Sequence, residues 1–185
     1  KKLFLITKKF SKKKKVICEE FINTNFPQIA GDAIIFDNKI VFSHWADQYY
    51  NKLLNPLLPI GESWPTSHGK KNILYIETEL NRLFKKLKIS FGIFNFDLRL
   101  VKNNKLMIIE IGPRNGGDFI PDVVKDASGV NMIEQTLNLH LGKKILKKDL
   151  IKSKNNFCAT LRVGSQKNGI FKRVIFSKEL NNHIY

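Results

Sequence analysis

Two carboxylates, an arginine and a glycine pair lie close together in this sequence, from Asp97 through Glu110 and Arg114 to Gly117. Their spacing suggests a hairpin. Phe91 to Val101 reads as one strand and Leu106 to Ile111 as the next, with Asn103-Asn104 as a two-residue turn that tolerates positive φ. That turn sets Asp97 opposite Glu110, Phe96 opposite Ile111, Leu98 opposite Ile109 and Leu100 opposite Met107. One face is then wholly apolar. The other holds Asn95, Asp97, Arg99 and Glu110, together with Leu106 and Ile108, which predicts that something covers it. A one-residue slip would mix the two faces. Directly opposed carboxylates have Cβ atoms about 5 Å apart and repel each other. A shared cation relieves that repulsion. Magnesium suits hard oxygen ligands and binds through one or two carboxylates plus phosphates. The competing reading is an ion-pair network with Arg99, which lies diagonally from Glu110.

The residues beyond Glu110 favour the phosphate reading. Arg114 follows it by four positions, and a guanidinium can fork onto a phosphate. Gly116-Gly117 lets backbone approach a ligand and offers amide donors, although a plain turn would use the same glycines.

Several elements must position these groups. Residues 1–15 read as the tail of a basic helix. Val16 to Ile22 reads as a strand, Ile29 to Phe36 as a second, and Asp37-Asn38 as a tight turn into a third from Lys39 to Ala46. Residues 47–68, rich in aromatics and proline, read as a long loop. Thr66 or Ser67 would cap a helix whose stripe is Ile73, Ile76, Leu80, Leu83, Phe84 and Leu87. Pro121 to Ser128 reads as a short helix ended by Gly129. Asn131 and Glu134 form a capping box for a helix through Leu141, stopped by Gly142. Phe157 to Val163 and Ile170 to Phe176 read as a last hairpin. Strand hairpins with two or three helices predict an α+β fold.

Composition narrows the function classes. The chain has 185 residues and 43% hydrophobic content, enough to fold around one core. No run approaches the roughly 20 apolar residues of a membrane span, and the first residues lack a signal-peptide pattern. The chain opens on Lys1 in mid-pattern, which predicts a domain cut from a longer protein. Cys18 and Cys158 sit in apolar runs and read as buried, unpaired thiols, with a cytoplasmic location as the expectation. The net charge of +16 invites a nucleic-acid reading. Nearly all of it is scattered lysine, however, and base readout and phosphate forks favour arginine. A non-catalytic basic module that binds a polyanion through Lys12 to Lys15 is the alternative to an enzyme.

Other chemistries find no support. Gly164 and Gly169 have phosphate-loop spacing, but Ile170-Phe171 follows instead of Lys and Ser or Thr. His44, His68, His140 and His183 show no metal-ligand spacing. His44, beside Trp45, is a candidate substrate contact. Ser63 and Ser165 have no base nearby in sequence.

The run Phe94-Asn95-Phe96-Asp97-Leu98-Arg99 followed by Glu110-Ile111-Gly112-Pro113-Arg114-Asn115-Gly116-Gly117 resembles the ATP-grasp superfamily, over roughly residues 16–176. The run from Asn55 to Pro65 resembles its carboxylate–amine ligase branch, near the carbamoyl-phosphate-synthase-like and phosphoribosylglycinamide-synthetase-like members. The resemblance implies that Asp97 and Glu110 hold Mg2+ (or Mn2+) and that Arg114, with Asn115, serves the phosphates of ATP. Glu19 would accept from the adenine amino group, and the Glu20, Phe21 and Ile22 backbone would hold the ring edge. Gln28 or Asp32 would meet the ribose or the acceptor. Asp32, His44, Ser63, Arg99 and Arg162, with Gly116 and Gly117, are the substrate candidates. The family usually has asparagine where Gly112 stands, with Asn115 or Asn95 as stand-ins. Its glycine-rich lid and ATP-binding lysine have no match in residues 1–15. The resemblance thus implies residues 1–15 as the tail of a truncated lid and 16–185 as the nucleotide- and metal-binding subdomain. The implied reaction activates a carboxylate as an acyl phosphate for attack by an amine, with a carboxylase or transformylase acceptor as the variant. The expected partners are small-molecule carboxylate and amine substrates, and a homodimer fits.

Overall fold

The computed structural model describes residues 2–24, 26–51, 53, 55–101, 105–164 and 169–181. Its centre is a six-stranded antiparallel sheet. The strands are β1 (Gln28–Phe36), β2 (Lys39–Asn51), β3 (Asn55–Trp64), β4 (Phe91–Val101), β5 (Lys105–Gly112) and β6 (Cys158–Leu161), in the order β5-β4-β1-β2-β3-β6. The helices are α1 (Lys2–Phe10), α2 (Lys70–Leu87), α3 (Ile120–Ser128), α4 (Met132–His140) and α5 (Lys178–Asn181), with a 3-10 turn at Lys147–Leu150. The expected α+β class is the one observed. No helix among the described residues is long and apolar enough to cross a membrane.

Helix α2 covers one sheet face. Its buried stripe of Ile76, Leu80 and Phe84 packs on Ile29, Ala33, Trp45, Phe96 and Leu98. Each such side chain stabilises the fold by roughly 1.5–3 kcal/mol. The other face is divided. At one end Ile34, Phe42, Ala46, Trp64 and Ile93 are apolar and lie beneath α3 and α4, which contribute Val124, Ala127, Met132 and Leu139. At the other end the same strands turn polar, and no core cluster covers them there.

The β1–β2 turn is as expected: Asp37 and Asn38 both take positive φ, 52° and 59°, the mirror-image turn that matches strand twist. The Asn131 cap also forms, accepting from the Glu134 amide. Gly129 ends α3 at φ 84°.

Several expectations fail, each for a physical reason. Val16 to Ile22 pairs with no strand, and Ile17 and Phe21 are exposed. The loop expected over 47–68 is largely sheet: β2 runs on to Asn51 and β3 follows. Prolines disguise this. Pro59 sits where the β2–β3 register shifts, so a ladder donor is not needed there. Neither Thr66 nor Ser67 caps α2. Its cap position is Gly69, and Thr66 is engaged with the Asp47 carboxylate instead. Ile170 to Phe176 forms no strand, and β6 pairs with β3. Cys18 is exposed and Cys158 half-buried, against the expected burial. The Asn103-Asn104 turn lies outside the described residues, as do Ser165 and His183.

Candidate functional site

The β4–β5 hairpin brings Asp97 and Glu110 opposite each other, with Phe96 facing Ile111 and Asn95 facing Gly112. The register then slips by one between Asp97 and Leu98, so that Leu98 faces Ile108 and Leu100 faces Leu106. This bulge corrects the expected pairings of Leu98 with Ile109 and Leu100 with Met107. It also removes the need for a cover. Leu106 packs against the α2-side core, and Ile108 lines the α2-side groove with it, away from the carboxylates. Bulges re-aim side chains next to functional sites. Here it lets the hairpin tip anchor under α2 while the other end presents two acids.

Those acids line a cavity of about 640 Å³ over the polar half of the second face, beside Gln48, Glu62, Asn95, Arg114 and Arg162. Burial pushes the Asp97 carboxyl above its ordinary range, and the charge of Glu110 adds to the rise. Repulsion between the two is thus present in the fold. Arg114 approaches Glu110 only at 3.9 Å, with both side chains largely exposed, so this ion pair contributes little. Arg99 does not pair with Glu110, contrary to the network reading. Its Nε donates to Gln28 Oε1 at 2.9 Å and its Nη1 to the Ile22 carbonyl, and the guanidinium lies 5.9 Å from the Phe21 ring centroid. Arg99 therefore ties the 16–24 segment to the sheet, together with the Thr24 hydroxyl, which donates to the Leu100 carbonyl at 3.1 Å.

The glycine-rich stretch is pinned from below. The Gly116 amide donates to both Asp32 oxygens, at 2.9 and 3.1 Å, and Asn95 Nδ2 donates to one of them at 2.8 Å. Asp32 is fully buried, and burial raises its carboxyl to about 6 against the lowering effect of the Gly116 amide. A Cβ at Gly116 would stand 2.8 Å from Ile120 Cδ1, so a side chain there would force Ile120 on α3 to shift. Asp118 and Phe119 then take positive φ, 51° and 62°, to turn into α3. Gly117 lines the cavity with its backbone. Asn115 Nδ2 donates to Thr136, while its Oδ1 is buried without a partner.

The remaining expected residues fall in different places. Gln28 is buried and bonds Gln48 and Arg99. Asp32 is beneath the site rather than in it. His44 is buried below α3 and α4, outside the cavity, and burial lowers its imidazole to about 4 with help from the charge of Lys152. Glu19, Glu20 and Phe21 are exposed, and Ile22 is half-buried.

Sequence reasoning missed Gln48 and Glu62. Both sat in the presumed loop, yet Glu62 and Trp64 alternate in strand fashion, which was the available signal. Glu62 is 2% exposed, Gln48 Nε2 donates to its Oε1 at 3.0 Å, and burial raises its carboxyl. Arg162, after β6, lies 3.8 Å from the same oxygen and 2.5 Å from Asp118.

No family model and no curated protein matches the sequence. Solved structures do match in fold. An L-amino acid ligase from Bacillus licheniformis aligns with TM-score 0.67 at 19% identity, over 86% of this chain and 41% of that one. Phosphoribosylglycinamide synthetase from Anaerococcus prevotii aligns with TM-score 0.62 at 20% identity, over 84% and 39%. The biotin carboxylase domain of the Hydrogenobacter thermophilus 2-oxoglutarate carboxylase, solved with MgADP, ADP and bicarbonate, aligns with TM-score 0.56 at 12% identity, over 74% and 30%. The chain has the fold of ATP-grasp ligases. It spans about two fifths of the length of the first two relatives.

Proposed function

We propose that this chain is the nucleotide- and metal-binding part of an ATP-dependent carboxylate–amine ligase. The observation that supports it best is the Asp97–Glu110 pair, opposed across a hairpin and facing a cavity that also holds Arg114, in a sheet with the ATP-grasp fold. The donor set fits magnesium. Two hard carboxylates from adjacent strands suffice when phosphates and water complete the shell. No group of three or more His, Cys, Asp or Glu that could hold a metal exists among the described residues, so a pair sharing the ion with phosphates is the arrangement this chain can offer. When bound, the ion neutralises phosphate charge.

In this reading the substrate carboxylate attacks the terminal phosphorus of ATP, ADP leaves, and an acyl phosphate forms. The amine then attacks the acyl carbon and phosphate leaves. Such phosphoryl transfer needs positioning and charge stabilisation more than covalent work by the protein. Asp97 and Glu110 would hold the metal, which would supply positive charge to the phosphates. Arg114, loosely held by Glu110, swings onto a phosphate oxygen, and the Gly116-Gly117 backbone, clamped by Asp32, approaches the transferred group. The Glu19 to Ile22 segment, tied down by Arg99, meets the adenine, while Gln28 supports it from beneath by holding Arg99. A carboxylase or transformylase would keep these roles and change only the acceptor.

The test is titration of Mg-ATP into the protein that carries this chain and into its Asp97→Asn variant. Affinity for the Mg-nucleotide should fall at least about tenfold, the loss of one charged ligand. Equal affinity and equal ADP release in the two proteins would refute the assignment.

A further inference from the structure

Glu62 has no role in the nucleotide chemistry above, yet it is the most deeply buried acid that lines the cavity, 2% exposed. Its two oxygens differ. Oε1 accepts from Gln48 Nε2 at 3.0 Å and faces Arg162 at 3.8 Å. Oε2 is buried with no hydrogen-bond partner. A buried carboxylate oxygen left unsatisfied is costly, and here the cost is built in by neighbours that leave Gln48 no other arrangement. Gln48 Oε1 accepts from Gln28 Nε2 at 2.8 Å and from the Tyr50 hydroxyl at 2.6 Å, so only the amide nitrogen can face Glu62. The carboxylate is thereby held in one orientation with one oxygen uncommitted.

Charge decides what that oxygen takes. Arg162 stands 3.8 Å from Oε1 and its charge partly offsets that of Glu62, but its close contact, at 2.5 Å, is with Asp118, and it makes no hydrogen bond to Oε2. Asp97 and Asp32 add negative potential at Glu62. A carboxylate oxygen only accepts, so Oε2 takes a hydrogen-bond donor and not an anion. Glu62 also belongs to no three-ligand metal cluster among the described residues. A compact cation with N–H donors meets every requirement.

We infer that the Glu62 carboxylate binds the ammonium group of the amine substrate, holding it on the β3 side of the cavity across from the Asp97–Glu110 pair. This rests on the ligase reading and assigns its second substrate a place. The binding is charge-assisted, donated by the ammonium to Oε2.

The probe is methylammonium chloride labelled with carbon-13, titrated by NMR into the protein carrying this chain with magnesium and a non-hydrolysable ATP analogue present. Saturable binding is expected. It should weaken at least about tenfold in Glu62→Gln, while the affinity for the ATP analogue changes less than about twofold. Tetramethylammonium, which has no N–H donor, should not compete in the unaltered protein. That arm is independent of whether the variant folds. Absence of saturable binding, equal binding in Glu62→Gln, or equal competition by tetramethylammonium would each overturn the inference. Failure of the ligase reading is separate: it would appear as analogue affinity indifferent to Asp97→Asn.

Discussion

At the scale of single residues, the site is a set of acids kept apart in role by what surrounds them. Asp97 faces a like charge, Glu62 faces an amide, and Asp32 is sealed beneath a loop. Asp32 makes a pH prediction. Its carboxyl titrates near 6 in the fold against 3.8 ordinarily, so the folded state binds the proton more tightly than the unfolded one. Stability is then lost as pH rises through the window from about 4 to 6, and no further change comes from this group above it. The shift corresponds to about 3 kcal/mol. An Asp32→Asn variant lacks this titration. Chemical denaturation at pH 4 and pH 7 should show the variant gaining on the original by about that amount, whatever its offset at pH 4. A constant difference across the window would dismiss the sealed-acid picture. The Asp97–Glu110 pairing was legible in the sequence, but a two-residue turn does not account for it: the strands pair one residue out of that register near the tip, and the bulge after Asp97 brings the two acids back opposite each other. Glu62 was not, because its short strand alternation with Trp64 lies among prolines that make the run look like a loop. Its partner Gln48 lies on a different strand, and the pairing exists only once β2 and β3 meet.

At the scale of elements, α2, α3, α4 and the β1–β2 and β4–β5 hairpins follow from periodicity and caps. The errors have different causes: prolines hide β3 inside what reads as a loop, whereas β6 finds a partner distant in sequence. Strand β6 pairs with β3 across roughly a hundred residues, so periodicity near Phe157 gave no hint of its neighbour, and the apolar run at Ile170 looked like a closer one. That pairing supports the site, because Arg162 follows β6 directly. It also makes a sharp demand at Gly61, where an added Cβ would collide with the Thr160 backbone oxygen. Gly61→Ala should therefore push β6 off β3 at a cost of about 1–3 kcal/mol. Hydrogen exchange should report faster exchange of the β6 amides, with the β1–β4 amides unchanged. Unaltered β6 protection would show that the strand accommodates the methyl group.

At the scale of the whole molecule, lysine charge and many exposed apolar side chains on the flanking segments, among them Phe10, Phe21, Phe157 and Phe171, surround a sheet whose order is far from the order of the chain. The polar half of its second face draws Gln28 from β1, Gln48 from β2, Glu62 from β3, Asp97 from β4 and Glu110 from β5, with Arg162 just beyond β6. Every strand thus supplies one member or borders one. Such a site cannot exist in a partly assembled sheet, so occupancy and global folding are thermodynamically linked. A ligand held only by the native state stabilises it by about 2.7 kcal/mol at a hundred times its Kd. For a chain of this size that is a rise in Tm of roughly 5–10 °C. Mg-nucleotide should raise the melting temperature of the entire sheet as one transition, and the rise should shrink by about half or more in Asp97→Asn. A site assembled in this way reports on the integrity of all six strands at once: any substitution that loosens one strand should be felt first as weaker binding, before unfolding is measurable.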